Sequence, residues 1–300
     1  MSDLVGTTKW LVGIPSVTGD EDAIVAAVAE RLGSVYSADE ITHVGKSVVV
    51  GRRTGRPLVL LVGHLDTVPS QGAPPPFVDG DRLFGLGSCD MKGGLAVMLH
   101  LLESPAVVDG PFDVVGVFYD AEEGPADANG LDPVLNQLGW LSDAELAVVL
   151  EPSDSEIQLG CNGTLNATVE FHGKSSHSAR PWWGENAVTK AGEWLSKLHA
   201  RTPELFIIDG LEYLEVMSVT MASGGIARNI IPDRFTLNLN YRFSPEKTID
   251  EAIQQLMMVC DVADAVTVFD AAPAGPVHRD HPLVARLHDV SQAQYAAKQG

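Results

Sequence analysis

The spacing of apolar residues divides the chain into two unlike halves. In the first, three short apolar runs, Leu58–Val62, Val114–Tyr119 and Leu146–Leu150, have the character of strands covered on both faces. Lys92–Glu103, between the first two runs, is apolar enough to be a helix packed on a sheet. Upstream, Thr18-Gly19-Asp20-Glu21 has the spacing of a capping box. It precedes Ile24, Val25, Val28 and Leu32 on one helical face, with Gly33 as the stop. Buried strands alternating with helices predict an α/β fold built on an open, mostly parallel sheet.

After about residue 163 the period changes to two. Leu165, Ala167, Val169 and Phe171 alternate with Asn166, Thr168, Glu170 and His172, and Phe235, Leu237, Leu239, Tyr241 and Phe243 alternate as cleanly with polar neighbours. Helices are predicted over Ala187–Leu198 and, behind the capping box Thr248–Glu251, over Ile249–Val259. One-faced strands with two helices predict a small α+β domain over residues 165–272. Ala271-Ala272-Pro273-Ala274-Gly275-Pro276 reads as a hinge, beyond which an amphipathic helix carrying Leu283, Leu287 and Val290 returns to the first domain. The expected organisation is one domain, 1–164 plus 273–300, interrupted by another, 165–272.

Length and composition narrow the function classes. Three hundred residues are roughly two domains' worth, and 45% apolar with 20% charged residues is ordinary for a soluble globular chain. No apolar run approaches the ~20 residues that cross a bilayer. No basic patch followed by an apolar stretch marks a signal peptide at the N-terminus. Forty acids against twenty bases give a net charge of −20, which makes nucleic acid and membrane poor partners. Cys89, Cys161 and Cys260 share no metal-type spacing and cannot all pair, which fits a reducing cytoplasm.

Four polar clusters follow the apolar runs. In Gly63-His64-Leu65-Asp66, the imidazole and carboxylate lie two apart on extended chain and point to one side, as a metal ligand with its orienting acid or as a surface pair. Asp90, in Cys89-Asp90-Met91-Lys92-Gly93-Gly94, suits either a site acid approached closely by backbone or a helix N-cap. The adjacent Glu122 and Glu123 cannot face the same way, so one could bind a metal while the other moves protons; an exposed acid pair is the plain alternative. Glu151 again stands where a strand ends. Ligands of open α/β sheets bind beyond the carboxyl ends of the strands, so the four clusters converge on one sheet edge. One histidine with several carboxylates suits zinc or a similar divalent ion, and the number of acids suggests two ions sharing a bridging carboxylate.

Together, Gly63–Pro69, Gly85–Gly94, Glu122-Glu123-Gly124 and Glu151-Pro152 resemble the co-catalytic di-zinc aminoacylase/carboxypeptidase family. Gly173–Pro181, Gly184-Glu185-Asn186-Ala187 and Gly224–Asp233 extend the resemblance. Asp209–Tyr213 and Asn240–Phe243 are similar to its actinobacterial succinyl-diaminopimelate desuccinylase branch. The resemblance implies a zinc-hydrolase catalytic domain with an inserted ferredoxin-like dimerisation domain. It implies two Zn2+ per subunit, with Co2+ a possible substitute, and a cytoplasmic homodimer formed through residues 165–272. The implied reaction removes succinate from N-succinyl-LL-2,6-diaminopimelate, with metal-bound water as nucleophile. A related N-acyl-amino-acid deacylase, a metallo-carboxypeptidase and a catalytically impaired binding relative are the alternatives.

Position by position, the resemblance gives His64 and Glu151 to one zinc, Asp90 to both, and Glu123 to the second. The peptide bond after Asp90 is expected to be cis. Asp66 would orient His64, and Glu122 would be the general base. His177 would polarise the scissile carbonyl in the partner subunit's site. Asn229 and Arg242 would grip a carboxylate of the substrate, although on composition alone His177 is a surface loop residue and Arg242 a solvated sheet residue. A further histidine ligand is expected from a segment that relatives carry beyond the position of Gly300, which leaves the catalytic domain C-terminally incomplete.

Overall fold

A computed structural model of the chain describes residues 3–300, which fold as two compact units, one ending at Asp154 and the other beginning at Ser155. The first contains α1 (Leu4–Val12), α2 (Asp22–Leu32), β1 (Ile41–Val44), β2 (Ser47–Gly51), β3 (Leu58–His64), β4 (Phe77–Asp79), β5 (Arg82–Phe84), α3 (Lys92–Leu102), α4 (Pro105–Val108), β6 (Asp113–Tyr119), α5 (Leu131–Gln137) and β7 (Leu146–Val149). Its main sheet runs β1-β2-β6-β3-β7. The strands β6, β3 and β7 are parallel, as the apolar runs predict, while β1 and β2 add an antiparallel hairpin at one edge. Helices cover both faces. Leu11, Ile24, Val28, Leu32, Leu95 and Leu99 form the core on one side, and Val134 and Leu141 close the other over Leu58, Leu60, Val62, Val115 and Val117. β7 departs from the expected two-sided burial: it is an edge strand, and Val149 is exposed.

The predicted capping box of α2 does not form. The helix begins at Asp22 without a side-chain cap, and the Thr18 hydroxyl instead donates to Asp66. The face of Ile24, Val28 and Leu32 is buried as expected.

The second unit contains β8 (Ile157–Leu159), β9 (Gly163–His172), α6 (Ala187–Lys190), α7 (Gly192–His199), β10 (Glu204–Ile208), β11 (Leu211–Gly224), β12 (Arg234–Phe243), α8 (Ile249–Val259), β13 (Ala265–Ala272), α9 (Pro282–Ser291) and β14 (Tyr295–Ala297). Its antiparallel sheet runs β10-β11-β12-β9-β13; the last four strands have the ferredoxin-like order, to which β10 is added. The apolar positions read by period two face inward: Leu165, Ala167, Val169 and Phe171 pack with Leu237, Leu239, Tyr241 and Phe243 beneath Trp194 and Leu256. The capping box Thr248–Glu251 is formed, and α8 has the predicted bounds. The helix expected over 187–198 is two, joined through Ala191. One residue is extra on each outer strand of the ferredoxin-like four, Thr220 in β11 and Phe269 in β13, where the register shifts. Beneath the helices Glu215 is a buried polar hub, joined to Tyr241, Ser244, Lys247 and Gln255.

The units divide at Asp154 rather than at 164, and residues 273–300 pack within the second. There they meet the segment just after the division: β14 pairs in parallel with β8, and the Asn162 amide donates to the Lys298 carbonyl. Gly275, read as part of a hinge, exchanges two backbone hydrogen bonds with Cys161 and is held. In α9 the buried residue is Val284, while Val290 of the expected stripe is exposed, because the helix offers the opposite side of its last turn to solvent. No helix among the described residues is long and apolar enough to cross a membrane.

Candidate metal centre

Because β3, β6 and β7 are parallel, their carboxyl ends lie on one edge of the sheet. His64 is the last residue of β3 and pairs in register with Tyr119, the last of β6, while the Leu150 amide donates to Val62. Glu122–Glu123 and Glu151 therefore emerge beside His64. Asp90 arrives from the turn into α3, which lies so close to the sheet that a Cβ on Gly94 would sit 2.2 Å from the Leu150 carbonyl oxygen. Only glycine allows this approach, and it carries Asp90 to the strand ends.

Among the described residues two groups of potential ligands result, His64 with Asp90 and Glu151, and His64 with Glu122 and Glu123; within each, the ligating atoms lie within 4.8 Å of one another. The His64 Nε2 is 2.9 Å from Asp90 Oδ1 and 3.5 Å from Glu151 Oε1. Its Nδ1 lies 3.0 Å from the Asp66 carbonyl oxygen and 3.5 Å from the Asp66 carboxylate. The ring packs edge-on against Tyr119, with centroids 6.2 Å apart. The Asp90–Met91 peptide bond is cis.

Asp66, fully buried, has more partners than an orienting acid needs. Oδ1 accepts from the Glu122 amide at 3.0 Å, and Oδ2 accepts from the Glu123 amide at 3.1 Å and from Thr18 Oγ1 at 2.8 Å. The turn it holds starts at Ala121, whose φ of 57° reverses the chain sharply after β6.

The electrostatics are those of crowded acids. Burial alone would lower the His64 imidazole, but the Asp66 and Asp90 carboxylates beside it, with the charges of Glu151 and Glu122, lift it to about 9. Burial raises the Glu123 carboxyl, and the neighbouring Asp90 and Glu122 charges raise it further. Asp66 stays below the usual carboxylate range despite burial, because His64, Thr18 and the two turn amides favour its charged form. One imidazole and several half-buried carboxylates converging in this way are a donor set that fits a divalent cation, whose charge would relieve the crowding.

His177, Asn229 and Arg242 lie in the second unit. His177 bridges to Ile230, and the Ser178 amide donates to the Asn229 carbonyl, so the first two are neighbours on exposed loops. Arg242 is half-buried on β12, across from Thr164. Sequence reasoning missed Thr18 and Tyr119. Both reach the centre through pairings of distant segments, and only Thr18's place just before α2 singled it out, for another task.

The family description "Peptidase dimerisation domain" of the M20 class matches residues 159–266. A Mycobacterium tuberculosis protein bearing the DapE name is 37% identical over 301 residues, covering 99% of this chain and 84% of its own length. The succinyl-diaminopimelate desuccinylase of Corynebacterium glutamicum is 36% identical over 263 residues, 86% of this chain and 70% of its own. Among solved structures, an M20 family metallo-carboxypeptidase from Sulfolobus solfataricus superimposes with a TM-score of 0.75 at 14% identity, over 99% of this chain and 86% of the other. Identity of this degree over nearly the whole chain, on a sheet edge that gathers a histidine and four acids, makes the protein a member of the M20 metallopeptidase family of amide-bond hydrolases.

Proposed function

We propose that the chain is a zinc-dependent amidohydrolase that cleaves N-succinyl-LL-2,6-diaminopimelate to succinate and LL-2,6-diaminopimelate. The observation that carries this reading is the convergence of His64, Asp90, Glu122, Glu123 and Glu151 at the ends of three parallel strands. The name of the Corynebacterium relative supports the choice of substrate.

His64, Asp90 and Glu151 would hold one ion, and Asp90 with Glu123 a second. Bound there, the metal supplies Lewis acidity and lowers the pKa of water from 15.7 to about 7. Glu122, which this reading leaves free of the ions, takes a proton from the attacking water and delivers it to the departing amine nitrogen. The water oxygen bonds to the acyl carbon as the carbon–nitrogen bond breaks. Asp66 keeps Glu122 and Glu123 in place through their amides. His177 donates to the scissile carbonyl in the partner subunit, where a well-placed donor is worth ~3–4 kcal/mol in the transition state. Asn229 and Arg242 bind substrate carboxylate, for which the planar guanidinium is suited. A homodimer through residues 165–272 in the cytoplasm completes the reading.

The test is release of primary amine by the purified full chain with added zinc, from succinyl-diaminopimelate, N-acetyl amino acids and dipeptides in parallel. Preferential cleavage of the first supports the proposal. Preference for acetylated amino acids or dipeptides would make it a deacylase or carboxypeptidase, and inactivity on all three would refute catalysis. Light scattering that found a monomer would remove the role given to His177.

A further inference from the structure

Resting on the hydrolase reading for the task of Glu122, we propose that Thr18 is a positioning residue for the turn carrying Glu122 and Glu123, acting through the Asp66 carboxylate that accepts from both of their amides. Its hydroxyl donates to Asp66 Oδ2 at 2.8 Å, on the carboxylate whose oxygens also accept from the Glu122 and Glu123 amides. The fully buried carboxylate also lies 3.5 Å from His64 Nδ1, on the Oδ1 side, so on the Oδ2 side Thr18 is the side chain that shares with the Glu123 amide in fixing its plane. The Thr18 methyl meets the same turn farther along: a Cβ on Gly124, the residue after Glu123, would lie 3.1 Å from Thr18 Cγ2.

Thr18 is itself anchored. Its amide donates to the Thr67 carbonyl at 3.1 Å, Val17 bridges to Thr67, the Thr67 amide donates to Ser16, and Ser16 Oγ donates to the Leu65 carbonyl. Residues 16–18 thus run beside 65–67 as a short splint. The observed helix α2 begins at Asp22 with Glu21 at its N-cap position, so Thr18, three residues earlier, is left free of any capping task.

The experiment compares Thr18→Val, which keeps the shape and loses the donor, with Thr18→Ser, which keeps the donor and loses the methyl. Hydrogen exchange of the Glu122 and Glu123 amides, read on metal-free full-length protein, should quicken by about tenfold in Thr18→Val and little in Thr18→Ser. With zinc, Thr18→Val should lower kcat by roughly 10- to 100-fold with KM nearly unchanged, the scale expected when a catalytic group is misplaced by less than about 1 Å. Thr18→Ser should restore it. Gly124→Ala should also lower kcat, and adding Thr18→Ser should recover it by removing the opposing methyl. Wild-type exchange and kcat in Thr18→Val, or equal losses in Thr18→Val and Thr18→Ser, would overturn the proposal. A wild-type protein that cleaves no amide refutes the hydrolase reading instead, and the exchange arm still decides whether Thr18 holds the turn.

Discussion

Replacing Glu215 by Ala should destabilise the second unit more than any surface change. The side chain is 1% exposed and accepts five hydrogen bonds: Tyr241 Oη at 2.5 Å, Lys247 Nζ at 2.8 and 2.7 Å, Gln255 Nε2 at 2.8 Å and the Ser244 amide at 3.2 Å. Truncation leaves a buried phenol and the buried Ser244 amide without this acceptor, and strips the 20% exposed Lys247 ammonium of its counter-charge while the Gln255 Oε1 contact at 2.7 Å remains. Breaking one side of a buried ion pair costs about 3–5 kcal/mol, because the remaining charge is uncompensated. For a unit of this size that is a fall in Tm of roughly 6–20 °C at about 2–4 °C per kcal/mol. Removing both charges with groups of similar shape, Glu215→Leu with Lys247→Met, should recover a large part of the loss. The assay is thermal and urea unfolding of the full chain, following near-ultraviolet dichroism, with exchange in β12 and α8 to assign the transition. A loss below about 1 kcal/mol for Glu215→Ala, or a double variant no better than the single, would refute the reasoning.

Glu122→Gln should lower kcat by about 10²–10⁴ while bound zinc, counted by elemental analysis, and KM stay near wild type, since the proposed reading gives the residue the task of moving protons. Gly94→Ala should cost ~1–3 kcal/mol or more in stability and weaken metal binding in titration, because a methyl at 2.2 Å from the Leu150 oxygen forces α3 and Asp90 away from the strand ends. Asp113 accepts from Thr54 Oγ1 and from the Thr54 and Gly55 amides, which hold its carboxyl below the usual range. Its contribution is therefore complete above the unfolded pKa of about 4 and is lost as pH falls through the lower folded value. Asp113→Asn should lower stability at neutral pH by ~1–2 kcal/mol and flatten the acid limb of a pH–stability curve.

Features written in local order were readable in the chain. Strands β3 and β6 follow from apolar runs, β9 and β12 from period two, and α8 from its capping box. The gathering of His64, Asp90, the Glu122–Glu123 pair and Glu151 was inferable because parallel strands end together. Features created by pairing across long separations were not readable. Thr18 has a sound local use as a cap, and only the return of β3 beside it supplies Asp66. The holding of Gly275 by Cys161 and of residues 295–297 by 157–159 joins segments more than a hundred residues apart, so neither composition nor period announces it. Val149 looked interior because an edge strand and a central one have the same apolar residues.

The extra residues in β11 and β13 bear on what the edges of the second sheet can accept. β10 covers β11 only along Leu211–Glu215, and β13 is bonded on one side to β9, so both strands have backbone open to another chain. A flush, flat edge accepts any passing strand and polymerises. A bulge at Thr220 and another at Phe269 bend and twist these edges, so that only a partner of matching curvature can continue the sheet. Such edges discourage open-ended strand addition: an incoming strand is screened by shape before any side chain is compared.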